Sequence, residues 1–383
     1  MKILIASDSY KGSLGTLQVA EAIKKGVLRV YADAKMQEMA MADGGEGTVE
    51  VLVKNLGGNL AYEMVAGPNG KEIAAHYGIL PGNCAIIEMA AASGLPLVAE
   101  EERDIMRATT YGTGQLILAA LDRGCRKIYI GIGGSATNDA GVGMAQALGV
   151  SFKDKKNKEV GFGGQSLTDI EGIDISGIDT RIQETEIVVM CDVTNPLCGK
   201  NGAAMVYGPQ KGASEEQIEV LDQGLFHLSE VIERAGLPGI REIPGAGAAG
   251  GLGGGLVAFA GAKMESGITA ILEICNFEEK MKWADLIITG EGKLDRQSMN
   301  GKVVSGILAR AKEKGVPVIA VCGSVEEEAR QFFDMGLGGM ESTIFRPMDL
   351  AEAMENSSAY ITDAVERIMR AVKTGQEIEK VLS

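Results

Sequence analysis

Aromatic residues are scarce in this chain, at 4% of 383 residues with a single Trp. The core must therefore rest on Ile, Leu, Val, Ala and 18 Met, a residue that packs adaptably but specifies shape weakly. Histidine is rarer still. Only His76 and His227 occur, one in a strand-like run and one on a long helical pattern, where a structural role is the simpler reading. No third group completes a Ser–His triad, so that type of hydrolysis is poorly supported. The six cysteines, Cys84, Cys125, Cys191, Cys198, Cys275 and Cys322, contain no C-x-x-C pair. A structural zinc site lacks its usual ligands, and the thiols read as reduced groups in or near the core of a cytoplasmic protein.

Positive charge is also in deficit. The formal net charge of −15 argues against nucleic acid as a bulk partner but leaves room for local cations that bind small anions. Long hydrophobic runs are absent. The apolar stretch at the start is too short for a signal peptide. The charge-free stretch from Ile243 to Ala262 contains eight glycines. It reads as a glycine-rich loop entering a small-residue helix, and no membrane contact is expected. The G-x-x-x-x-G-K-[ST] pattern is missing, which disfavours P-loop chemistry.

What the chain has instead is a recurring junction. Several short apolar runs end in glycine with an acid, an amide or a lysine: Ile3–Ala6 into Ser7-Asp8-Ser9-Tyr10-Lys11-Gly12-Ser13, Met39–Ala42 into Asp43-Gly44-Gly45-Glu46-Gly47-Thr48, Ile128–Ile130 into Gly131–Asp139, and Leu286–Thr289 into Gly290-Glu291-Gly292-Lys293-Leu294-Asp295. Open α/β sheets build ligand sites at such strand ends. Glycine admits close backbone approach, and the next helix start favours an anion.

Both chain ends alternate strand and helix, which implies a parallel sheet covered on both faces. Strands are expected near 2–7, 35–41, 285–289, 317–322 and 342–345, with helices near 16–30, 46–56, 302–314 and from 350. Between them, Leu60–Ala66, Ile73–Leu80 and Cys84–Met89 are separated by Pro68-Asn69-Gly70 and Pro81-Gly82-Asn83, the chemistry of a hairpin or meander. Helices near 110–123 and 138–148, strands at 127–131 and 186–191, and a helix near 215–235 capped by Ser214 and Gln217 follow. The expected fold class is α/β: a doubly wound, Rossmann-like parallel-sheet domain from residues 1–66 and 284–383, with a mixed α/β domain, 67–283, inserted. The rival is two domains in sequence order, divided near 240.

The motifs carry competing readings. Gly131–Ala136 matches G-x-G-x-x-A, with Asp154 about twenty residues on, as in a dinucleotide fingerprint. Phosphate or carboxylate binding is the favoured reading of this loop, and the plainer one is a tight turn that needs glycine for packing, with Asn138 capping the helix. Gly245–Gly250 matches G-x-G-x-x-G without a clear preceding strand, and its glycines approach either a ligand or another segment. Asp43, Glu46, Glu291 and Asp295 suit Mg²⁺ as hard oxygen donors, or simply complement helix N-termini. Asp192, after a strongly apolar strand, is a general-base candidate or the start of an Asx-turn before Pro196. Lys211, in Gly208-Pro209-Gln210-Lys211-Gly212, reads most simply as a solvated charge.

Taken in this order, Ser7–Leu14, Met41–Thr48, Gly131–Asp139, Cys191–Gly199, Gly245–Leu256 and Thr289–Asp295 resemble the bacterial glycerate kinase family, type 1. The resemblance covers essentially the whole chain. It implies ATP-dependent phosphorylation of D-glycerate, on the 2-hydroxyl, by two α/β domains with the site between them. Within such a kinase, Lys11 or the Gly133-Gly134-Ser135 loop, with Asn138 and Asn195, would take the substrate's carboxylate or a phosphate. Asp43 or Glu291 would hold Mg²⁺, and Asp192 or Asp8 would accept the hydroxyl proton. Two other classes stay open on the residues alone. One is a nicotinamide-dependent dehydrogenase of a small hydroxy acid, resting on Gly131–Ala136 and Asp154. The other is a passive binder of small acids, for which so many carboxylates have little use.

Overall fold

The structure is a computed structural model that describes residues 1–39, 41, 47–299 and 302–382. The chain forms two compact units, Met1–Asp43 with Ile268–Ser383, and Gly44–Gly267.

The first unit is built on five parallel strands in the spatial order Leu337–Ser342, Val318–Cys322, Leu286–Gly290, Lys2–Ser7, Lys35–Glu38. Their runs of Ile, Leu and Val are buried on both faces, as a covered parallel sheet requires. Ile3, Ile5, Ile288 and Val321 pack against the helices Thr16–Leu28 and Ser357–Leu382. Leu4, Ile287 and Ala320 point the other way and are equally buried. Each such side chain contributes about 1.5–3 kcal/mol by leaving water. In chain order the strands read second, first, third, fourth, fifth across the sheet. The order therefore reverses between Lys2–Ser7 and Leu286–Gly290. The carboxyl ends at such a switch point open a crevice for ligands.

The second unit has a six-stranded mixed sheet: Lys263–Glu265, Glu186–Met190, Lys127–Gly131, Cys84–Glu88, Glu72–Leu80, Asn59–Ala66. The first four run parallel, and the last two pairs are antiparallel, which is the meander that the Pro-Asn-Gly and Pro-Gly-Asn turns predict. The helix Thr48–Leu56 packs on the Glu72–Leu80 strand of this sheet. The long helix Glu215–Arg234 starts at the expected capping box: Ser214 Oγ accepts from Gln217 N at 3.3 Å, and Gln217 Oε1 accepts from Ser214 N at 3.0 Å. Leu221, Leu225, Leu228 and Ile232 form its buried stripe.

Two expectations shift. The last strand of the first unit spans Leu337–Ser342 rather than 342–345. The helix expected over 138–148 is only Val142–Ala147, with Gly141 at its N-cap in a left-handed conformation. All six cysteines are free, with Cys125, Cys275 and Cys322 buried. Among the described residues, no helix is long and apolar enough to cross a membrane.

Candidate active site

In the first unit, Ser7 is in register with Gly290 on adjacent parallel strands, so the next residues, Asp8 and Glu291, leave the sheet together at the switch point. Only glycine fits at 290, because a Cβ there would lie 1.8 Å from the Val321 carbonyl oxygen. Asp8 Oδ1 accepts from Ser9 N at 2.7 Å, and Asp8 N donates to Gly290 O at 2.9 Å. Glu291 is 7% exposed, and its Oε1 is buried with no hydrogen-bond partner. Lys302 Nζ stands 3.8 Å from Oε2. Burial, reinforced by the negative charges of Asp8 and Asp295, pushes the Glu291 carboxyl up to about 7 against the pull of Ser298 and Lys302. A pocket of about 540 Å³ joins these groups, and Asp8, Lys11, Glu291, Lys293, Asp295 and Lys302 supply its charges. That volume is within the range of about 300–1,000 Å³ typical of small-molecule sites.

In the second unit, Gly131 and Met190 end adjacent parallel strands in register, so the loops carrying Ser135 and Asp192 emerge at one sheet edge. The Gly133–Ser135 turn is held by Leu95 N donating to Gly134 O at 2.8 Å and Ala136 N donating to Ser93 O at 3.0 Å. Gly134 is left-handed (φ 73°), while a Cβ on Gly133 would meet nothing within 4 Å. Asn138 is fully buried, and neither atom of its amide has a hydrogen-bond partner. Capping does not explain it, since the helix starts four residues later. Asp139 is also fully buried. Its carboxylate accepts from Thr110 N (2.8 Å), Thr110 Oγ1 (2.9 Å), Gly141 N (3.1 Å) and Gly143 N (3.3 Å). Burial raises its pKa, and these four donors oppose the rise.

Lys211 was expected in solvent and is instead 3% exposed. Its Nζ donates to Ser135 Oγ and to Thr137 O, both at 2.7 Å. Burial lowers its pKa to about 7, with Asp139 pulling in the opposite direction. Local sequence offers no signal for this, because the partners lie more than seventy residues away.

The structure brings Asp8, Lys11 and Glu291 to one pocket. It places Gly133, Gly134, Ser135 and Asn138 on one loop of the other unit. Asp43 lies outside the described residues. Asp192 is exposed, and its Oδ1 accepts from Gly267 N at 2.9 Å. Asn195 has its amide committed to its own loop: Nδ2 donates to Asn201 O at 2.8 Å, and Oδ1 accepts from Tyr207 Oη at 2.7 Å. The Gly245–Leu256 segment approaches protein backbone. A Cβ at Gly250 would lie 1.9 Å from Thr137 O, and one at Gly255 would lie 2.2 Å from Ala140 O. These glycines form the bed beneath the 137–141 loop.

The dinucleotide fingerprint does not assemble. Gly131–Ala136 does not open a helix directly, and Asp154 turns its Oδ1 into its own loop, accepting from Lys156 N (2.8 Å) and Lys158 N (2.9 Å). The nicotinamide-dependent reading therefore has no support here.

The family model described as "Glycerate kinase family" matches residues 3–373. The chain belongs to the glycerate kinase family. It is 47% identical over 367 residues to a glycerate kinase of Halalkalibacterium halodurans, covering 96% of this chain and 97% of that protein. It is 46% identical over 376 residues to the glycerate 2-kinase of Escherichia coli K12, covering 98% and 99%. Among solved structures, one described as glycerate kinase 2 of Salmonella typhimurium LT2 superposes with a TM-score of 0.89 at 43% identity, covering 98% of this chain and 99% of that one.

Proposed function

We propose that this member of the glycerate kinase family phosphorylates the 2-hydroxyl of D-glycerate with ATP and Mg²⁺, giving 2-phosphoglycerate and ADP. The observation that carries the reading is similarity along nearly the whole chain to glycerate kinases, a glycerate 2-kinase among them. In the step, the C2 oxygen bonds to the γ-phosphorus as the bridge to the β-phosphate breaks. The hydroxyl proton passes to a carboxylate, Asp192 or Asp8.

The pocket at the switch point suits a magnesium nucleotide. Kinase sites hold Mg²⁺ through one or two carboxylates, with phosphate oxygens and water completing its shell. Glu291 is a hard oxygen donor, and its orphaned Oε1 fits that use. Among the described residues no group of three His, Cys, Asp or Glu side chains is arranged to hold a metal. The bound ion supplies neutralisation of phosphate charge. Lys11, Lys293 and Lys302 add cations around the nucleotide, and the Gly133–Ser135 loop offers backbone N–H groups to an anion. Free thiols and ATP use both fit a cytoplasmic enzyme.

A coupled assay of ADP release tests the reading. ADP formation should need D-glycerate, ATP and Mg²⁺ together. Equal ADP release without glycerate would reduce the protein to an ATPase.

A further inference from the structure

A second, smaller cavity of about 190 Å³ lies within the second unit, beside the Ser135–Thr137 loop. Leu95, Val98, Ile105 and Ala136 give it apolar walls, and Arg103 and Lys211 reach it as cations. We infer that this cavity is the subsite for the carboxylate of a short hydroxy acid, held by Lys211 and Arg103. The inference rests on the kinase reading above and names D-glycerate as the acid.

Size argues first. The cavity is below the range of about 300–1,000 Å³ that drug-sized ligands occupy. Its size is on the scale of a three-carbon acid rather than of a nucleotide. Charge argues second. Among the described residues neither Lys211 nor Arg103 forms an ion pair, while the neighbouring Asp104 carboxylate faces Arg107 at 3.7 Å. A protonated lysine has three N–H donors. Two of them serve Ser135 Oγ and Thr137 O, which leaves one for a ligand. Arg103 Nε is buried with no acceptor. Buried unpaired donors are costly unless an acceptor arrives, and a carboxylate supplies two acceptor oxygens. The two bonds also fix the Lys211 nitrogen in place before the acid binds.

Electrostatics add a signature. The charged groups around Lys211 are Asp139 on the neighbouring loop and Glu102, Arg103, Asp104 and Arg107 along the cavity wall. Burial holds the free lysine near pKa 7. An arriving carboxylate favours the charged form, so binding above neutral pH draws in a proton.

Calorimetric titration of the full chain with D-glycerate, and with the carboxylate-free analogue glycerol, tests this. Two pH 8 buffers of different ionisation heat report the proton uptake. The expected result is uptake approaching about one proton in the wild type. Lys211→Met and the partly exposed Arg103→Gln should each lose at least about tenfold in glycerate affinity, with Mg-ATP affinity unchanged. Glycerol should bind far more weakly than glycerate. Wild-type glycerate affinity in both variants would overturn the subsite while leaving the kinase reading standing. If the wild type fails to turn over D-glycerate yet binds other short hydroxy acids through Lys211, the kinase reading falls and the subsite stands.

Discussion

Asp8 and Glu291 stand side by side because Ser7 and Gly290 are paired in register on neighbouring parallel strands. Two acids from opposite ends of the chain thus meet where the strand order reverses. Glu291 is buried and feels the charge of Asp8, and both effects disfavour its ionised form. A divalent cation would reverse that balance, since it rewards the ionised oxygens.

Glu291→Gln should therefore weaken the apparent Mg²⁺ affinity of turnover by at least about tenfold. Without Mg²⁺, Glu291→Gln should not unfold more readily than the wild type, because it removes a desolvated acid beside another acid. Mg²⁺ titrations of initial rate, with melting curves in chelator, check both statements. An unchanged Mg²⁺ dependence removes the carboxylate from the metal's shell.

Asp192→Asn should lower kcat by at least about tenfold, the lower end for a positioned proton acceptor. The amide oxygen still accepts from Gly267 N, the bond seen for Asp192 Oδ1. Stability should therefore hold. A folded variant with wild-type kcat leaves Asp8 as the proton acceptor.

Two glycines separate packing from binding. Gly290→Ala places a methyl group against the Val321 carbonyl oxygen and should cost at least about 1–3 kcal/mol of stability. Gly133→Ala meets nothing within 4 Å, so its melting temperature should stay close to wild type. Its KM should rise if the Gly133–Ser135 backbone faces a ligand. Urea melts paired with steady-state kinetics distinguish the two effects.

Lys211 predicts a pH dependence of stability. Its pKa is about 7 folded, against a reference value of 10.5 for the exposed side chain. Between those values the unfolded chain holds a proton that the native state lacks, so unfolding free energy rises with pH. The penalty of burying the charged amine is fully present below about pH 7 and fades as pH climbs toward 10. The difference in stability between wild type and Lys211→Met should accordingly shift in favour of the wild type over that window. A flat difference contradicts a desolvated lysine.

Much of this architecture was legible in the sequence, for identifiable reasons. Apolar runs that stop at glycine marked the strand ends now holding Asp8, Ser135 and Glu291, and Pro-Gly-Asn chemistry marked the meander. The final strand was misplaced because Leu337-Gly338-Gly339 carries little β preference, and its pairing with Val318–Cys322 is interrupted by a register shift. Lys211 was hidden for a different reason. Its flanking glycines and proline say turn, and turns are usually wet. Only the tertiary fold brings the Thr137 carbonyl and the Ser135 hydroxyl to its amine. The unpaired Asn138 amide is equally invisible locally, since an Asn before an apolar run reads as a cap. The dinucleotide reading of the G-x-G-x-x-A pattern fails because the helix and acidic partner that give the pattern that meaning are elsewhere.

Phosphorus NMR of a reaction containing the protein, Mg-ATP and D-glycerate tests the central claim most directly. The account predicts a new phosphomonoester resonance split by the lone C2 proton, with ATP converted to ADP in step. A resonance split by the pair of C3 protons, or an unchanged ATP spectrum, contradicts it.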